Sequence, residues 1–133
     1  ERIGDYAKGI GRITLMLGDE PLMKPLMDIP VMAAKASDML RRSLDAFARL
    51  DVQTAVEVVK NDNIVDKEYG SALRSLMTFM MEDPRAIGSI INEMWALRSL
   101  ERIGDHASNI AEHVIYLVRG MDVRHGRLAE LGE

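Results

Sequence analysis

The chain has 133 residues, 47% of them hydrophobic and 29% charged, a balance that disfavours disorder and suffices for one or two small cores without staples. Cysteine is absent, which excludes disulfides, thiolate metal sites and cysteine nucleophiles together and suits a reducing compartment. The net charge of −4 arises from 21 acidic and 17 basic residues with no long block of one sign, so no surface for a nucleic-acid backbone is expected, and no apolar run approaches the roughly 18 residues that span a bilayer.

Ten methionines beside only four prolines and few aromatics favour helices over sheets. The first predicted helix covers residues 1–17 and ends at Gly18. No start signal lies ahead of Glu1, so the amphipathic pattern is expected to enter mid-helix, in a fragment of a longer chain. Residues 19–30 hold Pro21, Pro25 and Pro30 and mark a linker, bounded at 19–28, and Asp28 is placed to cap the next helix. There Ile29, Ala33, Ala36, Leu40, Ser43, Phe47 and Leu50 follow the alternating spacing of four and three that marks a bundle seam. Asp51 is an N-cap signal for a third helix over 52–82, and Asp83 with Pro84 is a cap plus first turn for a fourth that runs to Arg119, with Gly120 as its left-handed terminator. No stretch alternates with a period of two, so no sheet is expected. The connections at Asp51 and Asp83 allow only antiparallel neighbours. The expected fold is therefore all-α: an antiparallel three-helix bundle over 29–120, preceded by the last helix of a truncated first bundle over 1–18, with 121–133 as a tail.

The chain also contains a repeat. Glu1-Arg2-Ile3-Gly4-Asp5 recurs unchanged as Glu101-Arg102-Ile103-Gly104-Asp105, and Ala7 and Ile10 match Ala107 and Ile110, so seven of ten positions agree at a spacing of 100. A period this long points to a duplicated domain rather than a solenoid. The equivalent stripes Ile3, Ala7, Ile10 and Ile103, Ala107, Ile110 are expected to pack together across a pseudo-twofold axis. Gly4 and Gly104 interrupt helices where alanine would be more favourable, which suggests close approach of a backbone or a bound group, or a merely tolerated glycine.

Four acids stand where apolar residues are expected. In the third helix Ala55, Val58, Val65, Tyr69, Leu73, Leu76 and Met80 share one stripe with Asp62 and Asp66; in the fourth, Ile87, Ile90, Ile91, Met94 and Leu97 lead into Glu101 and Asp105. With a hairpin centred between Asp83 and Pro84, facing positions have numbers that sum to 167, which sets Asp62 against Asp105 and Asp66 against Glu101. Four converging carboxylates repel one another, so protons, arginines or cations must compensate, and an oxygen-rich site suits hard or borderline cations such as Mg, Mn, Ca or ferrous iron. Asn109 and Glu112 continue this helix and could add oxygen ligands. The alternative is an ordinary set of ion pairs to Arg98, Arg102, Lys60 and Lys67. A ferritin-like Glu-x-x-His pattern is missing, so His106 and His113 read as surface or packing residues, and Trp95, Met80 and Met81 as core or interface.

These residues carry a resemblance. The doubled Glu-Arg-Ile-Gly-Asp, the run Asp62-Asn-Ile-Val-Asp66-Lys-Glu-Tyr69, Leu44-Asp-Ala-Phe-Ala-Arg-Leu-Asp51 and Leu76-Met-Thr-Phe-Met-Met-Glu-Asp83 resemble the PhoU family of bacterial phosphate-signalling proteins over nearly the whole chain. The resemblance implies a cytoplasmic, non-enzymatic regulator that represses the phosphate-starvation response. It would link the ATPase subunit of a phosphate ABC importer to a PhoR-type sensor histidine kinase and meet the membrane only through such partners, as a homodimer. It also implies divalent or trivalent metal ions, in some members a multinuclear iron cluster, with Mg, Mn or Zn left open. The ligands would be Asp62, Asp66, Glu101 and Asp105, and Glu1 with Asp5 would be half of a second site. The competing reading is a carboxylate-bridged metalloenzyme in a helical bundle. Covalent catalysis is not expected, since no Ser/His/Asp set, phosphate-gripping glycine loop or nucleophile elbow is present in the sequence.

Overall fold

Four helices and one short turn make up the computed structural model, which describes residues 1–17 and 28–120: α1 (Arg2–Leu17), α2 (Asp28–Arg49), α3 (Val52–Glu82), a single 3-10 turn (Pro84–Ala86) and α4 (Ile87–Arg119). No strand occurs among the described residues. The expected linker, the Gly18 terminator, the tail and the side chain of Asp28 lie outside the described residues.

The joint between α2 and α3 is two residues long. Leu50 adopts the left-handed conformation, φ 53°, and lets Asp51 N–H reach Ala46 O at 2.9 Å while its own N–H points at Phe47 O. This is the Schellman arrangement that usually recruits glycine. Asp51 then caps α3, accepting from the Thr54 N–H at 3.2 Å and the Thr54 hydroxyl at 2.8 Å, and these bonds hold its carboxyl below the usual range.

At the other end Asp83 serves two helices. Its N–H donates to Phe79 O, closing α3, and its carboxylate accepts from Arg85 N–H at 3.2 Å and Arg85 Nε at 3.1 Å. The cap expected for α4 thus closes a tight turn through Pro84, and α4 begins at Ile87 rather than Pro84. Gly120 ends α4 at φ 64° as the sequence suggested.

Packing among α2, α3 and α4 forms one core, in which Met32, Ile90, Leu97, Val58, Val65, Val114 and Ile115 are the largest fully buried apolar side chains. Each such aliphatic contributes about 1.5–3 kcal/mol of transfer free energy. The buried stripe of α2 runs Met32, Ala36, Met39, Ser43, Ala46, whereas Phe47 and Leu50 from the expected seam are 53% and 55% exposed. Small alanines and adaptable methionines are what this face presents to its neighbours. In α4, Ile87, Ile91 and Leu117 are likewise exposed, as is Trp95 at 61%. Glu93, which the sequence did not mark, is 3% exposed on the same α4 stripe as Ile90 and Leu97.

Helix α1 lies against α4. Ile3, Tyr6 and Ile10 pack on the core while Ala7 is exposed, so the α1 stripe passes through Tyr6 rather than Ala7. A step of three followed by four keeps the same helix face as the reverse order. Tyr6 stacks on His106, ring centroids 5.8 Å apart and planes 27° from parallel, which makes His106 a packing histidine; His113 is exposed. Among the described residues no helix is long and apolar enough to cross a membrane.

Candidate metal centre

Antiparallel packing of α3 on α4 brings the sequence-predicted acids to one level of the bundle. Asp62 and Asp66 are one turn apart on α3, and Asp105 faces them from α4; one carboxylate oxygen from each lies within 4.8 Å of the other two. Asp62 and Asp105 are partly buried and Asp66 is exposed, so the triad opens at a rim rather than closing inside the core. Among the described residues, no lysine or arginine makes an ion pair with any of these three. Lys60, Lys67 and Arg102, which the sequence offered as neutralisers, are exposed.

Glu101 behaves differently. It is only 7% exposed, and its Oε2 accepts from Arg98 Nη1 at 2.9 Å, one turn away on α4. The ordinary ion-pair reading therefore holds for this acid, and a carboxylate that meets Asp66 and Asp105 is also tied to a guanidinium. Burial pushes the Glu101 carboxyl up to about 7, with Asp105 adding to the rise and Arg98 opposing it. Burial also raises Asp62 to about 7, reinforced by the charges of Asp66, Asp105 and Glu112. Asp66, although exposed at the rim, is raised as well, first by partial loss of hydration beside its neighbours and then by Asp105, against a hydrogen bond from Glu101 and the charge of Arg98.

Two details bear on whether a cation fits. Asp62 Oδ1 is buried without a hydrogen-bond partner among the described residues. Gly104, on the α4 face opposite, leaves the volume beside that oxygen free: a Cβ built there would lie 3.8 Å from Asp62 Oδ1. An orphaned oxygen, a recess next to it and a donor set made of carboxylates fit a hard cation, which would replace the protons that offset the repulsion.

The remaining sequence candidates stand apart. Asn109 is exposed one turn beyond Asp105, and Glu112 is partly buried and close enough for its charge to raise Asp62. Glu1 and Asp5 are exposed at the start of α1, joined through the backbone by Asp5 N–H to Glu1 O at 3.0 Å. Gly4, their counterpart of Gly104, has nothing within 4 Å of a built Cβ.

Known proteins resemble this chain in both sequence and fold. The profile of the PhoU domain matches residues 29–114. The chain is 51% identical over 136 residues to the phosphate-specific transport system accessory protein PhoU homolog of Pseudomonas aeruginosa, covering 100% of this chain and 55% of that protein. It is 42% identical to the phosphate-specific transport system accessory protein PhoU of Escherichia coli over 94% of this chain and 52% of that one. The crystal structure of PhoU from Pseudomonas aeruginosa superposes with a TM-score of 0.88 at 50% identity, over 91% of this chain and 58% of that one. The chain spans about half the length of the curated relatives it matches.

Proposed function

The chain belongs to the PhoU family, and from that premise we propose that it acts in a regulatory adaptor of phosphate homeostasis whose α3–α4 acids hold metal ions. The adaptor would repress the phosphate-starvation response by linking a phosphate ABC importer, through its ATPase subunit, to a PhoR-type sensor histidine kinase. It would work in the cytoplasm as a homodimer, reach the membrane only through those partners and catalyse no reaction of its own. The names of these relatives, accessory proteins of a phosphate-specific transport system, support the phosphate side of this reading.

The observation that carries the metal side is the meeting of Asp62, Asp66 and Asp105 with no ion pair to a lysine or arginine among the described residues. Bound divalent or trivalent cations, including a multinuclear iron cluster, would supply the positive charge that these oxygens lack. Asp62, Asp66 and Asp105 would be the inner ligands. Glu101 would join on release from Arg98, and Asn109 and Glu112 would extend the site along α4. Glu1 and Asp5 would form half of an equivalent site whose other half belongs to another helix. Since α3 and α4 meet at these acids, a cation there would tie the two helices together and make the shape of the bundle depend on metal.

Copurification tests the adaptor. The protein should be retained by the importer ATPase subunit and by the cytoplasmic part of the kinase, and should hydrolyse no phosphoester in the metal-loaded state. Turnover abolished by Asp66→Ala would establish the metalloenzyme instead.

A further inference from the structure

Gly104 is a buried glycine in the interior of α4, where alanine would hold the helix better. Steric need in the metal-free fold does not account for it. A Cβ added at this position would meet Val65 Cγ1 at 3.6 Å, Asp62 Oδ1 at 3.8 Å and Met39 Sδ at 3.8 Å, all ordinary contact distances. The backbone is regular helix there, so no left-handed conformation calls for glycine either. What the missing methyl leaves is a methyl-sized gap beside two apolar side chains and one oxygen, and that oxygen is buried with no hydrogen-bond partner among the described residues. A cation on Asp62 Oδ1, at the roughly 2.0–2.6 Å typical of hard ions, brings a shell of water or further ligands that needs such a volume.

We infer that Gly104 is a positioning residue that keeps coordination space open beside Asp62 Oδ1, so that alanine there would be accepted by the fold and resisted by the metal. The inference rests on the cation site proposed above. Gly88 supplies a control on the same helix, exposed near the start of α4 and about four turns from Gly104, where no atom of the described residues lies within 4 Å of an added Cβ.

Manganese(II) is the probe, with binding followed by titration calorimetry and folding by thermal melts of the metal-free chain. Gly104→Ala should melt no lower than the parent, and up to about 3 °C higher from helix propensity. Its manganese affinity should fall at least about tenfold, the scale on which residues that support ligands act. Gly88→Ala should leave the affinity unchanged. Equal affinity in Gly104→Ala and the parent would overturn the inference while leaving the cation site standing. A lower melting temperature for metal-free Gly104→Ala would overturn it too, since the glycine would then serve packing. An equal loss in Gly88→Ala would show the effect to be non-local and would overturn it as well. A parent chain that binds no manganese would remove both the inference and the site beneath it.

Discussion

Asp105 on α4 and Asp62 on α3 stand on opposite sides of one helix hairpin with a carboxylate oxygen of each within 4.8 Å of the other. Burial and the neighbouring charges of Asp66 and Asp105 disfavour the ionised form of Asp62, which keeps its proton up to a pH of about 7. The chain thus contains a joint whose state depends on what neutralises it.

Replacing Asp62 with asparagine keeps the shape and removes the charge. Asp62→Asn should stabilise the metal-free chain at pH 8 by on the order of 1 kcal/mol, after allowing for solvent screening of a partly exposed group. It should weaken cation binding by about 10- to 100-fold. Denaturant titrations with and without manganese check both, and a loss of stability without metal would contradict the repulsion.

Acidity should have an unusual sign. Asp62 and Glu101 have folded-state pKa values of about 7, above the values of 3.8 and 4.5 of the free groups. Between those limits the folded chain binds more protons than the unfolded one, so the stability these groups contribute is present at low pH and lost as pH rises to about 7. Melting temperatures of the metal-free chain should therefore fall from about pH 5 to about pH 7.5, and the fall should shrink in Asp62→Asn. Manganese should reverse the trend, because it binds the deprotonated acids.

The strained joint at Leu50 gives a prediction independent of metal. A left-handed leucine costs about 1 kcal/mol relative to glycine, and its side chain is 55% exposed, so little packing is lost with it. Leu50→Gly should raise stability by about 0.5–1 kcal/mol in chemical denaturation. Asp51→Ala, next to it, should lower stability by about 1 kcal/mol through loss of the α3 cap.

Tyr6 and His106 occupy the same place in the two copies of the duplicated motif, and their rings stack. Contact between equivalent positions is what a twofold relation between α1 and α4 produces. Tyr6→Ala should loosen α1 by about 1 kcal/mol beyond the area lost, read as faster amide exchange in α1 with α3 and α4 unchanged.

Much of the fold was legible in the residues. Four helices, the short joints, the cap at Asp51 and the stop at Gly120 follow from local chemistry, which is why they could be read without tertiary information, whereas Asp83 caps the 3-10 turn ahead of α4 rather than α4 itself. The hairpin register set Asp62 against Asp105, and these two do meet. What periodicity left open was the choice between neighbouring stripes on one helix. Phe47 and Leu50 fit a seam as well as Met39 and Ala46 do, and only the packed bundle decides between them. The division of the acids was hidden for a similar reason. Arg98 lies one turn from Glu101 and also close to Asp66, and the sequence does not say which carboxylate it takes. Glu93 escaped notice because a single acid in a helix is usually solvated, although its spacing from Ile90 and Leu97 placed it on the buried stripe.

If Asp62, Asp66 and Asp105 together hold a cation, crystals soaked in manganese(II) should show an anomalous peak among them. That peak should be bonded to oxygens of all three residues, at about 2.0–2.6 Å, and should disappear in Asp62→Asn. A soaked crystal with no peak among these carboxylates, or a peak that survives Asp62→Asn unchanged, would contradict it.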